Sequence, residues 1–232
     1  MLTFVSATRA SQSEFMAHSM LGQSLQAMEP LGPFGLHLFS GNHRPLGSCF
    51  NDVIVSADSE EILVFLHDDV CIDDWNVGLR LDDALGVFDV VGVAGNRRRQ
   101  ANQETWWMLP SRTGEGGRIL DQFDHDYLSG AISHGRPPHG RITVYGASPR
   151  PVALLDGVFL AARAGKLQQS GVRFDPSLGF HFYDLDFCRS AEVAGLRIGT
   201  WPIAITHASG GESIQSPAWA ESLERYLHKW GH

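Results

Sequence analysis

Long apolar runs are missing from this chain. None approaches the twenty or so residues a helix needs to cross a bilayer, so no transmembrane segment is expected. The opening "MLTFVSATRASQ" has no basic stretch followed by a long apolar one, which excludes the pattern of a secretory signal. Cysteine is scarce. Cys49, Cys71 and Cys188 are odd in number and far apart, so neither a disulfide scaffold nor a Cys-pair metal site is expected. Positive charge is also short, with 18 Lys and Arg against 26 Asp and Glu and a net charge of -8. Such a balance argues against duplex nucleic acid, whose binders carry excess Lys and Arg. The one basic run, Arg97-Arg98-Arg99, follows an apolar stretch and reads as a solvated loop; a phosphate suits it better than a duplex. Repeats and low-complexity tracts are absent. These absences make a reducing cytoplasmic location the default expectation.

What is present suits a globular domain. Hydrophobic residues make up 43% of 232 and charged residues 19%, enough for a substantial core. "LTFVSA" (2 to 7) reads as a strand, and Ser11 with Glu14 forms a capping box before Ala17, Leu21, Leu25 and Met28 at helical spacing. "GLHLFS" (35 to 40) reads as a second strand. Phe50, Val53, Ile54 and Ala57 make a helical face, and "ILVFL" (62 to 66) is an unbroken apolar strand of the parallel, doubly covered kind. A helix around Trp75 to Leu85 and the strand "FDVVGVAG" (88 to 95) complete a β-α-β-α-β-α-β order. That order predicts a parallel sheet with right-handed crossovers.

From about 100 to 145 the periodicity weakens. This stretch, with a turn at "GEGGR" (114 to 118), reads as an excursion over the site that closes on a bound ligand, with one or two short strands including "RITVYGA" (141 to 147). Order returns in "VALLDGVFLAAR" (152 to 163), in a helix from "YDLDFCRSAEVAG", and in "LRIGTWPIAITH", read as one strand ending at His207. Ser216-Pro217 starts a last helix with Trp219, Leu223, Tyr226 and Trp230 as its buried stripe.

"EILVFLHDDV" (61 to 70) poses the functional question. His67, Asp68 and Asp69 follow a buried strand, where α/β sheets bind ligands, and adjacent carboxylates repel unless a cation or a task lies nearby. Each candidate also has an ordinary structural use. Asp favours turns, Asp184 suits a helix N-terminus, His207 suits a sheet rim, and Trp106 and Trp107 suit a core. Asp156, inside "LLDGVFL", needs a partner or a cavity.

Taken in order, "HDD", "DGVF", "YDLDFCR" and the strand ending in His resemble the GT-A glycosyltransferases of family 2. The likeness extends to short glycosyltransferase-like domains related to a streptomycin-biosynthesis protein. It implies an α/β GT-A fold, a mostly parallel sheet with helices on both faces, in a single domain over 1–232. Residues 1–100 would form the nucleotide-binding half, 101–210 the acceptor and catalytic half, and 211–232 the C-terminal helix. It further implies metal-dependent, inverting transfer of a sugar from a nucleotide-diphosphate donor to a glycan, lipid-linked or small-molecule acceptor, as in bacterial polysaccharide or glycan biosynthesis.

Mn²⁺ or Mg²⁺ would sit on Asp69 and His207, with the histidine leaning toward Mn²⁺. Asp68 would lie beside the ribose and diphosphate, Thr8 and Arg9 against the base, and Asn42 at the uracil or ribose. Asp156 and Gly157 would line the acceptor pocket, with Trp107 stacking on a sugar and Asp186 supporting nearby groups. Asp184 aligns with the catalytic base, kept ionised by the helix dipole and so a weaker one. His67 and Tyr183 stand where the resemblance leads one to expect acids, and the usual "Pro-x-Tyr-Asn" opening is absent. Two other readings follow: a non-catalytic nucleotide-sugar or glycan-binding protein of the same fold, and a metal-dependent phosphoesterase using "HDD" and His207.

Overall fold

In this computed structural model residues 1–110, 112–113, 119–120, 122–138, 140–208 and 216–231 are described. The first half runs β1 (Leu2–Ala7), α1 (Gln12–His18), α2 (Met20–Met28), β2 (Gly35–Phe39), α3 (Leu46–Ser56), β3 (Ile62–Leu66), β4 (Val70–Ile72), α4 (Val77–Val87), β5 (Val90–Gly92) and β6 (Ala94–Asn96). The second half follows with β7 (Arg112–Thr113), β8 (Ile119–Leu120), β9 (Leu128–His134), β10 (Arg141–Gly146), β11 (Arg150–Pro151), β12 (Leu154–Leu155) and β13 (Phe159–Arg163). It ends with α5 (Ala164–Ser170), α6 (Tyr183–Val193), β14 (Ile198–Thr200), β15 (Ile205–His207) and α7 (Pro217–Trp230). The expected turn at 114 to 118 lies outside the described residues.

The larger sheet has the order β11-β14-β5-β13-β3-β1-β2. Strands β1, β2, β3, β5 and β14 run one way, and β13 and β11 run against them. All five residues of β3 are buried, as a strand covered by helices on both faces requires. The sheet is not wholly parallel as expected, because β13 returns from much later in the chain and inserts antiparallel between β3 and β5. A second sheet, β12-β6-β9-β15-β4 with β10 on β9, rises beside the strand ends.

Local chemistry explains the other departures. The single helix expected after Ser11 breaks at Ser19, whose extended backbone ends α1 and whose hydroxyl caps Gly22 N at 2.9 Å to start α2. Gly22 is needed there, since a Cβ would sit 2.2 Å from Phe15 O. "LRIGTWPIAITH" is two strands in two sheets, because Pro202 has no N–H to continue a ladder. The weakly periodic stretch holds the hairpin β9–β10 and the short antiparallel pair β7–β8.

An aromatic cluster sets α6 against the sheet. Phe174 stacks on Phe187 at 4.1 Å and meets Phe65 and Phe50 edge-on at 5.2 Å each. Phe182, before α6, holds a left-handed backbone at φ 64, which costs about 1–2 kcal/mol outside glycine. Its ring is 4% exposed between Trp219 and Tyr226 of α7, and burying it contributes about 1.5–3 kcal/mol, enough to hold the turn.

Asp186 completes that joint. Its Oδ1 accepts from Trp230 Nε1 at 2.7 Å and pairs with Lys229 Nζ at 2.8 Å. Asp186→Ala is expected to remove both links and lower unfolding stability by about 1–3 kcal/mol, read by denaturant titration. Ligand binding per folded molecule should be unchanged. A variant as stable as the parent would show that α7 docks without them.

Candidate functional site

The turn after β3 carries His67, Asp68 and Asp69, and two backbone bonds hold it: Leu21 N donates to Asp68 O and Ala208 N to Asp69 O. The second bond ties the turn to the residue after β15, so Asp69 and His207 are brought face to face by topology. His207 Nε2 lies 3.2 Å from Asp69 Oδ1. His67 joins them: one ligand atom from each of His67, Asp69 and His207 lies within 4.8 Å of the others.

Burial pushes the Asp69 carboxyl up, but the His207 hydrogen bond and the two imidazoles outweigh it and leave it below the usual carboxylate range. Burial lowers His67 to about 4, so its ring is neutral at pH 7 and keeps one nitrogen lone pair. Two imidazoles and a carboxylate form a donor set that suits a divalent transition metal. His134, beside His207 in register, brings its ring centroid to 6.4 Å and its pKa is lowered by burial and by His207.

His67, Asp69 and His207 line a cavity of about 1050 Å³ together with the loops after β1 and β2. Thr8, Arg9, Asn42 and Asp68 all line it. The two loops are laced together: Asn42 N donates to Thr8 O and Gly41 N to Ala10 O, both at 2.8 Å. Asn42 spends most of its side chain on its own loop. Its Oδ1 accepts from Arg44 N and Cys49 Sγ, and its Nδ2 donates to Arg44 O. Phe180, 45% exposed, stands at the lip with its ring 5.2 Å from His67.

Asp156, Gly157, Trp107 and Asp184 are not among the residues lining this cavity. Tyr183 connects Gly157 and Asp184 to it. Its hydroxyl lies 2.8 Å from His67 Nε2 and donates to Gly157 O at 2.9 Å, while Asp184 Oδ2 accepts from Gly157 N at 2.9 Å. Only glycine fits at 157, since a Cβ would come within 2.4 Å of the Tyr183 hydroxyl and 2.9 Å of Asp184 Cβ.

Asp184 differs from expectation. It is in the first turn of α6 and accepts from Leu185 N, yet burial, then the neighbouring Asp156, raise its pKa to about 6. A helix N-terminus contributes about 0.3–1 kcal/mol to the charged form, and here that is outweighed. The carboxyl is therefore a stronger base than the helix alone would make it, and still mostly ionised at pH 7. Asp156 is raised too, by burial, against hydrogen bonds from Val158 N at 3.0 Å and from the Trp106 side chain. Trp107 packs instead on Phe123 at 4.9 Å. Asp186 is tied to α7, and its Oδ2 has no hydrogen-bond partner among the described residues.

Sequence reasoning gave no role to His134 or Phe180, took His67 and Tyr183 only as residues standing in for expected acids, and placed Trp106 in the core. His67 carried a signal, being beside the acids at the strand end. Tyr183 lies 116 positions from His67, and nothing local marks their contact.

No known family and no curated protein matches this sequence. Solved structures do. GalNAc-T7 with UDP, GalNAc and Mn²⁺ matches at TM-score 0.54 and 12% identity over 98% of this chain. This chain spans about half of that one, 47%. A Drosophila beta-1,4-galactosyltransferase 7 variant with manganese, UDP-Gal and xylobiose matches at TM-score 0.45 and 9% identity, covering 93% of this chain and 77% of that one. A197 from STIV matches at TM-score 0.45 and 9% identity, covering 93% and 98%. The architecture is that of the GT-A fold, α/β with a mostly parallel sheet. Among the described residues no helix is long and apolar enough to cross a membrane.

Proposed function

We propose that this protein is a metal-dependent inverting glycosyltransferase, acting from a nucleoside diphosphate sugar onto an acceptor hydroxyl. The observation that carries the reading is the meeting of His67, Asp69 and His207 on the wall of a large cavity at the strand ends of a GT-A fold. The chemistry of this donor set fits a divalent cation: one anionic oxygen and two neutral nitrogens favour Mn²⁺ over Mg²⁺. When bound, such an ion offsets the negative charge that grows on the departing diphosphate.

The chain's own residues supply the rest. Thr8, Arg9, Asn42 and Asp68 face the cavity where a nucleotide would lie, with Arg9 the cation nearest the β1 end. One Nδ2 hydrogen of Asn42 is left for a ligand once its loop bonds are made. Asp184, with a pKa of about 6, takes the proton of the attacking hydroxyl. Its Gly157 and Leu185 bonds hold the carboxylate in place. Asp156, held by hydrogen bonds from Val158 N and Trp106, serves the acceptor side. Residues 1–100 form the nucleotide-binding half and 101–210 the acceptor and catalytic half of one domain, with His207 reaching across to the metal site.

Calorimetric titration with UDP, GDP and dTDP, with and without Mn²⁺, tests the proposal. Metal-dependent binding of at least one nucleotide is expected, followed by transfer from the matching sugar donor. Failure to bind any of the three overturns it. Tyr183 and His67, which replace expected acids, favour the second reading, a non-catalytic binding protein; nucleotide binding without transfer from any donor selects that one.

A further inference from the structure

The hydrogen bonds around Tyr183 fix more than its own position. A phenol has a single hydrogen, and Gly157 O, a carbonyl, can only accept it. If that hydrogen pointed at His67 instead, the phenol and carbonyl oxygens would face each other at 2.9 Å with lone pairs opposed. The hydrogen therefore goes to Gly157, and toward His67 the phenol oxygen is an acceptor. Nε2 of His67, 2.8 Å away, must then carry the ring proton. In a neutral imidazole that leaves Nδ1 with the lone pair. One ring nitrogen of His67 lies within 4.8 Å of ligand atoms of Asp69 and His207, and with Nε2 committed to Tyr183 the nitrogen left to serve there is Nδ1.

Tyr183 cannot easily turn away. Its ring is 2% exposed and wedged between Phe50 and Phe174, with centroids 6.2 and 6.0 Å off. Gly157 closes over its hydroxyl.

We propose that Tyr183 is a positioning residue that locks His67 in the Nε2–H tautomer. The freed Nδ1 lone pair completes a two-histidine, one-carboxylate site that takes a divalent transition ion before any nucleotide arrives. The inference rests on the metal site of the proposed function but not on sugar transfer. Three protein donors, two of them neutral nitrogens, hold a borderline ion without phosphate oxygens, and they discriminate against Mg²⁺, which prefers oxygen and keeps its water. Tyr183 is then no mere loss of an acid: it performs the task that a carboxylate or carbonyl performs behind other metal-bound histidines.

Two measurements decide it. Long-range ¹H–¹⁵N spectra of ¹⁵N-histidine-labelled protein without metal, with His67 assigned by His67→Gln, should show the Nε2–H form. Titration of the nucleotide-free protein with Co²⁺, followed by visible absorption, should show binding, and Mg²⁺ should not displace the cobalt. Tyr183→Phe keeps the ring packing and is expected to mix the tautomers and weaken Co²⁺ binding by about 10–100-fold. An Nδ1–H tautomer in the parent protein, or unchanged Co²⁺ affinity in Tyr183→Phe, overturns the proposal. Should that variant not fold, the parent tautomer and its nucleotide-free cobalt binding decide alone. A protein that binds cobalt this way yet transfers no sugar refutes the proposed function and leaves this inference standing.

Discussion

Asp184→Asn should cut sugar transfer by about 10²–10⁴-fold, the usual loss of a general base, while nucleotide and metal binding persist. The amide keeps the size of the carboxylate, and its oxygen can still accept from Gly157 N or Leu185 N, so the first turn of α6 keeps its shape. What disappears is the capacity to take a proton. The pH profile gives an independent check. Burial and Asp156 raise the Asp184 carboxyl to about 6, and only its ionised form accepts the hydroxyl proton. Transfer should therefore be flat near pH 7 and fall about tenfold per unit below pH 6.

The same shift acts on stability with the sign reversed from a salt-bridged carboxylate. A raised folded pKa means the folded state binds more protons, so this group's contribution falls as pH rises from about 4 to about 6. Asp184→Asn removes that titration, and its stability should depend less on pH in this window than the parent's. Transfer at the parental rate by the variant would reduce Asp184 to a helix cap.

Much of the fold was legible because local rules and global packing agree. The buried run of β3, the capping box at Ser11 and the Ser216-Pro217 start each satisfy a short-range requirement. The insertion of β13 between β3 and β5 was not legible, since no local feature distinguishes an antiparallel buried strand from a parallel one. Nor was the division of "LRIGTWPIAITH" between two sheets, although Pro202 marks the break.

The site divides in the same way. Asp68 and Asp69 declare themselves by their place after an apolar strand. The role of Tyr183 depends on contacts with His67 and Gly157, which only the folded chain brings together. The Asp184 case shows a local rule losing to a tertiary one. Helix position alone implies a readily ionised acid, and burial, then Asp156 placed beside it by the fold, reverse the direction.

Replacing Asp69 with Ala should abolish the metal-dependent part of nucleotide binding, with His207→Ala nearly as severe. Asp69 supplies the only anionic oxygen of the three-residue cluster, and its carboxyl already sits below the usual range with two imidazoles beside it. Without it, two neutral nitrogens remain, with no protein charge in the cluster to offset a divalent cation. Losing His207 removes one nitrogen and the partner 3.2 Å from Asp69, but leaves the charge and His67. Neither side chain holds up the core: Asp69 is 43% and His207 16% exposed at the side chain, and the backbone bond from Ala208 N to Asp69 O survives both changes. Unfolding stability of the metal-free variants should stay within about 1 kcal/mol of the parent. In calorimetry, chelation of the parent and the Asp69→Ala change should leave the same residual nucleotide affinity, since both remove one term. A variant that still binds nucleotide more tightly with Mn²⁺ than with a chelator would place the ion elsewhere and refute the cluster as its site.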